Sequence, residues 1–208
     1  MKPILVLLAF VSFYSAQICA HPHSWIQMNT YVQGEQSTIS GFYMEWEFDA
    51  MTSTYMLDGE PNINQETLQN LAKEVIDNMM SSHYFTYFYQ RDNPIRYRKA
   101  IDAAMTYHRG KITLTFDLPL AKPITVLDEE LKLLIFDPSY FVDMSWDTQQ
   151  SIHLSHELNC STRLKAPNPT PEQVAFALSL PIDADPDNEL GQLFTETLYI
   201  RCENHAEL

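Results

Sequence analysis

Gly41-Phe42-Tyr43-Met44-Glu45-Trp46-Glu47-Phe48-Asp49 is the stretch on which the fold turns. Phe42, Met44, Trp46 and Phe48 alternate with Tyr43, Glu45, Glu47 and Asp49. Successive side chains of a strand point to opposite faces, so a period of two gives an aromatic-rich core face and an acidic outer face. The default reading of Glu45, Glu47 and Asp49 is a solvated strand face. The alternative is a set of metal-ligating oxygens, with Asp49 as the candidate ligand.

Working outward, residues 24–33 read as a strand preceding this one. Asn64 can cap a helix over 65–81, where Leu68, Leu71, Ala72, Val75, Ile76 and Met79 fall at helical spacing. Residues 84–90 are aromatic and strand-like, ending at the turn Arg91-Asp92-Asn93-Pro94. Residues 97–107 are extended and pair with 111–118 through Arg109-Gly110; Ile112, Leu114, Phe116 and Leu118 alternate with polar neighbours. Further strands are expected at 131–136, 140–146 and within 151–165, with a short helix at 172–179; residues 190–202 close the fold. Asp137-Pro138-Ser139-Tyr140 reads as a turn, since Asp bonds its own backbone. One principal helix among many strands predicts an α+β fold of mainly antiparallel sheet.

The start of the chain is an export signal. Lys2 gives a positive n-region, residues 4–14 an apolar h-region, and Ala20 suits the last position before cleavage. The apolar run is shorter than the roughly 20 residues a spanning helix needs. Residues 1–20 are therefore expected to be removed, leaving a single domain, 21–208, with no membrane insertion of its own. Cys19 offers lipid attachment as an alternative, but Ile18 before it fits that processing poorly. Without Lys2 the mature chain has 12 basic and 27 acidic residues, a net charge of −15 with His neutral. That surface repels phosphate backbones and argues against nucleic acid as a partner.

Two cysteines remain after cleavage, Cys160 and Cys202. In an exported protein the first expectation is one disulfide. A pair of thiolate metal ligands is the alternative.

Cleavage after Ala20 gives His21 a free α-amine beside its own imidazole, and those two nitrogens can chelate one metal ion. His23 offers a third nitrogen. Amine and imidazole ligate in their neutral forms, with reference pKa values of about 8 and 6.5, so binding weakens as pH falls. Pro22 has no N–H, which excludes the copper and nickel geometry that deprotonates the second amide. Imidazole suits zinc, copper, nickel and iron. The bland alternative is a strand-leading segment whose histidines face solvent. His153 and His156 read as surface residues; His83 and His108 read as structural, with His108 the candidate for an inner ligand. No Gly-rich phosphate loop, Gly-x-Ser-x-Gly elbow or His-Glu-x-x-His occurs, so nucleotide-binding and hydrolase readings have no motif behind them.

His21-Pro22-His23-Ser24-Trp25-Ile26, Trp46-Glu47-Phe48-Asp49, Tyr84-Phe85-Thr86-Tyr87, the segment 136–142 and Leu190-Gly191-Gln192-Leu193-Phe194 together resemble a family of periplasmic transport-system components of Gram-negative bacteria, which includes the ZevA-type zinc proteins. Cys160 and Cys202 stand where that family has its two late cysteines. The resemblance implies a periplasmic, non-enzymatic accessory to a NicO-type nickel/cobalt permease. Zinc is the first choice of metal, with nickel, cobalt or copper as alternatives, and His21 and His23 are the ligand candidates. Many members carry an EF-hand-like loop before the helix. Here Asp58-Gly59-Glu60-Pro61-Asn62-Ile63 is shortened, lacks the central Gly, and has Thr67 where a bidentate Glu would close the site. Calcium needs six to eight oxygens including that carboxylate, so this loop is expected to bind it weakly or not at all. Two other functions compete: a metal-free interaction module that recruits or regulates the permease, and a copper enzyme with an N-terminal histidine brace, which needs another histidine such as His108 near His21.

Overall fold

A computed structural model describes residues 22–58, 60, 62–126, 129–180 and 190–203. The expected signal segment 1–20, His21 and His205 lie outside the described residues. The opening hairpin pairs β1 (Ser24–Glu35) with β2 (Thr38–Phe48) in antiparallel register, setting Met28 against Trp46 and Val32 against Phe42. Phe42, Met44, Trp46 and Phe48 are all buried, while Glu45 and Glu47 lie on the more exposed face. The period-two reading of this segment is therefore correct.

The next elements are α1 (Ala50–Met56), α2 (Gln65–Met79), β3 (Thr86–Gln90), β4 (Asn93–Pro94), β5 (Ile101–His108), β6 (Lys111–Thr125), β7 (Glu130–Ile135) and β8 (Val142–Ser145). They are followed by β9 (Ile152–Leu154), β10 (Cys160–Lys165), α3 (Pro171–Ser179), α4 (Leu190–Phe194) and β11 (Thr197–Cys202). One sheet runs β5-β6-β2-β1-β8, with β9 also pairing with β1; the other runs β10-β11-β7-β3-β4. The pairings are antiparallel except β8 and β9, which lie parallel to β1. The fold is α+β and mainly antiparallel, as expected.

One apolar cluster draws on both sheets and on α2. Phe42 of the first sheet meets Phe88 of the second edge to face, ring centroids 5.1 Å apart. Trp46 makes the same kind of contact with Phe116 of β6 at 5.0 Å, a geometry favoured by the ring quadrupoles. Helix α2 buries Ala72, Ile76 and Met79, and Asn64 caps it by accepting from the Thr67 N–H at 2.9 Å.

Three local departures have physical causes. The chain leaves α2 after Met79 through a 3-10 segment in which His83, Tyr84 and Phe85 take φ near +55°. This turn brings Tyr84 into the core, where its hydroxyl accepts from the Ala100 N–H at 3.2 Å. Strand β6 runs past Leu118 through two prolines. Pro119 is tolerated because the β2–β6 register shifts there opposite Gly41, where an added Cβ would sit 2.9 Å from Leu118 O and from Pro119 Cα. Helix α1 was not anticipated: Asp49 ends the strand pattern by capping a helix.

Cys160 and Cys202 stand opposite each other across β10 and β11 and form a disulfide, so the thiolate-ligand alternative does not apply. It closes a loop with a sequence separation of 42. Replacing both cysteines by serine is expected to lower stability by about 3–4 kcal/mol in the chain-entropy model. Urea unfolding of parent and variant, compared at equal slope, checks it.

Candidate metal-binding site at the mature amino terminus

His23 stands immediately before β1, at a corner of the first sheet. Its backbone N–H donates to Phe141 O at 2.9 Å, and its ring lies 4.9 Å from the Phe141 ring. Phe141 is itself placed by Asp137, a buried carboxylate that accepts from the N–H groups of Ser139, Phe141 and Val142 and from the Ser139 hydroxyl. The turn expected from Asp137-Pro138-Ser139-Tyr140 is thus present, and it fixes the chain that holds His23. Behind it, α4 packs so closely that a Cβ on Gly191 would come within 1.9 Å of Asp137 O.

Asp49 lies at the same end of the sheet. Its carboxylate caps α1 by accepting from the N–H groups of Met51 and Thr52, and it also accepts from the Trp25 N–H at 3.0 Å and from the Thr52 hydroxyl. Burial raises its pKa, but these hydrogen bonds outweigh burial and hold it below the usual carboxylate value. Four donors occupy the positions a carboxylate offers, so in the fold Asp49 is a helix cap and a tether for β1. His108 ends β5 at the same end of the first sheet, exposed. Strands β6 and β2 separate β5 from β1, which puts His108 on the order of 14 Å from β1 at normal strand spacing.

The outer face of the sheet is polar and internally paired. Glu45 accepts from Asn29 at 2.9 Å, Glu47 pairs with Lys111 at 2.6 Å, and Asp147 accepts from Gln27 at 3.0 Å. His153 stacks on Tyr31 with centroids 4.4 Å apart, and His153 and His156 are both exposed. The His83 ring lies 6.3 Å from that of Tyr87. In the loop before α2, the Thr67 hydroxyl donates to Asn62 O at 3.0 Å, so the position where a closing carboxylate would stand is a donor. Among the described residues, no group of three or more His, Cys, Asp or Glu side chains is placed to hold a metal ion.

Two carboxylates escaped the reading of the sequence because strands far apart in the chain bring them together. Burial raises the pKa of Asp143 on β8. Burial also raises that of Glu196, assisted by the charges of Asp143 and Asp147, although Glu196 accepts from the Trp146 N–H at 2.7 Å. A carboxyl whose pKa is raised on folding costs stability above that pKa, and the cost fades as pH falls through it. Asp143→Asn is therefore expected to be more stable than the parent at pH 7, with the gap closing toward pH 4. Urea midpoints across that range check the sign.

A family profile described as "Protein of unknown function (DUF1007)" matches residues 6–202. The chain belongs to that family. It is also 30% identical to an uncharacterised protein of Haemophilus influenzae over 204 residues, covering 96% of this chain and 98% of the relative. Among the described residues, no helix is long and apolar enough to cross a membrane.

Proposed function

We propose that the mature protein is a periplasmic metal-binding accessory to a transition-metal permease of the NicO type, with zinc as the first-choice metal and nickel, cobalt or copper as alternatives. The observation that carries this reading is the anchoring of His23. The hydrogen bond to Phe141 O and the ring contact hold the last residue of His21-Pro22-His23 at a fixed corner. Pro22 further limits the backbone between the two histidines. A short, restrained segment loses less entropy on chelating an ion than a free tail does. The resemblance to permease-associated periplasmic proteins supports the partner and the compartment. Calcium is not part of the proposal.

Changing His21 and His23 together to alanine is expected to weaken zinc binding by about two orders of magnitude, ~2.7 kcal/mol. Titration calorimetry on protein processed at Ala20 measures it. Parent and variant affinities within a factor of three would remove the histidines as ligands.

A second reading, an interaction module that works without metal, is favoured by α3. Its Val174, Phe176 and Leu178 are exposed apolar side chains, with Phe176 at 55%. In that reading, Phe176→Asp abolishes permease association while the histidine variant leaves metal-dependent growth intact.

A further inference from the structure

A cavity of about 770 Å³ lies where the segment from Pro94 to Lys99 crosses between the two sheets. That segment is bound on both sides. Ile95 N–H donates to Phe88 O, whereas Arg98 N–H donates to Pro119 O and Ala121 N–H donates to Arg96 O. The crossing leaves a recess beside β3, since β4 covers only its last two residues, Tyr89 and Gln90. The volume is in the range of sites for small organic ligands, roughly 300–1,000 Å³.

The lining has a definite chemistry. Tyr87 and Tyr89, half-buried on the same face of β3, supply aromatic wall, whereas Tyr84 and Phe88 are buried behind it. One face of the Tyr87 ring lies on Phe136 and one of the Tyr89 ring under Lys132. Arg96, Arg98, Lys99 and His83 supply nitrogen donors, and among the described residues no carboxylate lines the recess. Lys99 is partly neutralised by Asp77 at 3.1 Å, which leaves Arg96 and Arg98 as the main positive charges. They are two residues apart on extended chain and so share a face. In a chain with 27 acidic residues, an aromatic recess with this rim is a local reversal of sign. Tyr97, between Arg96 and Arg98, falls on the opposite face, toward Phe42; its hydroxyl is buried with no hydrogen-bond partner, and burial pushes its pKa well above 10.

We infer that this recess binds a small organic anion with an aromatic or other flat apolar body. The rings would take up the body by stacking, and the two guanidinium groups would hold the anionic group at the mouth, the geometry in which arginine recognises carboxylates and sulfonates. The inference does not depend on metal binding.

The test uses two fluorescent probes that differ in charge. One is 8-anilinonaphthalene-1-sulfonate; the other is N-phenyl-1-naphthylamine, which has the same body without the sulfonate. The sulfonate is expected to bind saturably, one per chain, and more weakly as salt rises. Arg96→Gln with Arg98→Gln should weaken it at least tenfold and change the neutral probe less than twofold. Lys165→Gln, on β10, should change neither. Melting temperatures verify that the variants are folded, and Arg96→Gln alone should show a smaller loss of the same kind should the double variant fail to fold. Equal binding of the two probes by the parent, or sulfonate binding by the arginine variants within twofold of the parent, overturns the inference.

Discussion

Asp137→Ala is expected to unfold at much lower denaturant than the parent, with a loss of about 4–5 kcal/mol. The carboxylate is 8% exposed and accepts from three backbone N–H groups and one hydroxyl within a six-residue turn, 137–142. Removing it leaves several buried donors unpaired at once, each worth roughly 1–3 kcal/mol but not additive. Asp137→Asn separates charge from shape. One amide oxygen can keep the partners on the Oδ2 side, Ser139 Oγ, Phe141 N and Val142 N, while the amide nitrogen faces the Ser139 N–H. About half the loss is expected. A loss below about 2 kcal/mol for the alanine variant would mean that the turn is held by something other than this carboxylate. The same turn places Phe141 against His23, so its loss should also weaken metal binding in whatever fraction remains folded.

Trp46→Ala is expected to cost about 3–5 kcal/mol, the range for deleting a large buried aromatic. Trp46 is fully buried on β2, between Met28 of β1 and Leu114 of β6, with the Phe116 ring edge-on. Its indole N–H has no partner. A buried donor without a partner is a cost already present in the folded protein, so Trp46→Phe removes that cost along with some packing. Its loss is expected to stay under about 2 kcal/mol. Equal losses for alanine and phenylalanine would show that the indole itself is indispensable. By contrast, the Trp146 indole donates to Thr30 Oγ1 at 3.0 Å, so Trp146→Phe leaves a buried acceptor in place.

What could be read from the sequence was whatever one segment settles alone. The alternation through Trp46 located β2, the Asn64 cap located the start of α2, and Asp137-Pro138 located its turn, because each signal sits within a few residues of what it controls. The disulfide was legible because only two cysteines lie beyond the expected export signal. Helix α1 was not legible: its cap, Asp49, continues the acidic alternation of β2, so the strand pattern hid the helix start. Strand β6 was legible only to Leu118; it continues through Pro119 because Gly41 stands opposite. At the terminus, the chemistry of His21 and His23 is sequence information, whereas the hold on His23 by Phe141, 118 positions later, is a product of β8 pairing with β1. Likewise Asp143 and Glu196, or Arg96 and the rings of β3, meet only after the chain has folded.

The central claim is that processing at Ala20 creates the ligand set, since the α-amine of His21 exists only after cleavage. The direct measurement is zinc titration of two chains identical except at the start, one beginning at His21 and one carrying a single additional residue before it. At pH 7.5 the authentic terminus is expected to bind one zinc at micromolar concentration or tighter, and the extended chain at least tenfold more weakly. The advantage should shrink as pH falls toward 6, where amine and imidazole take up protons. Equal affinities, or no binding tighter than about millimolar by either chain, would contradict the account.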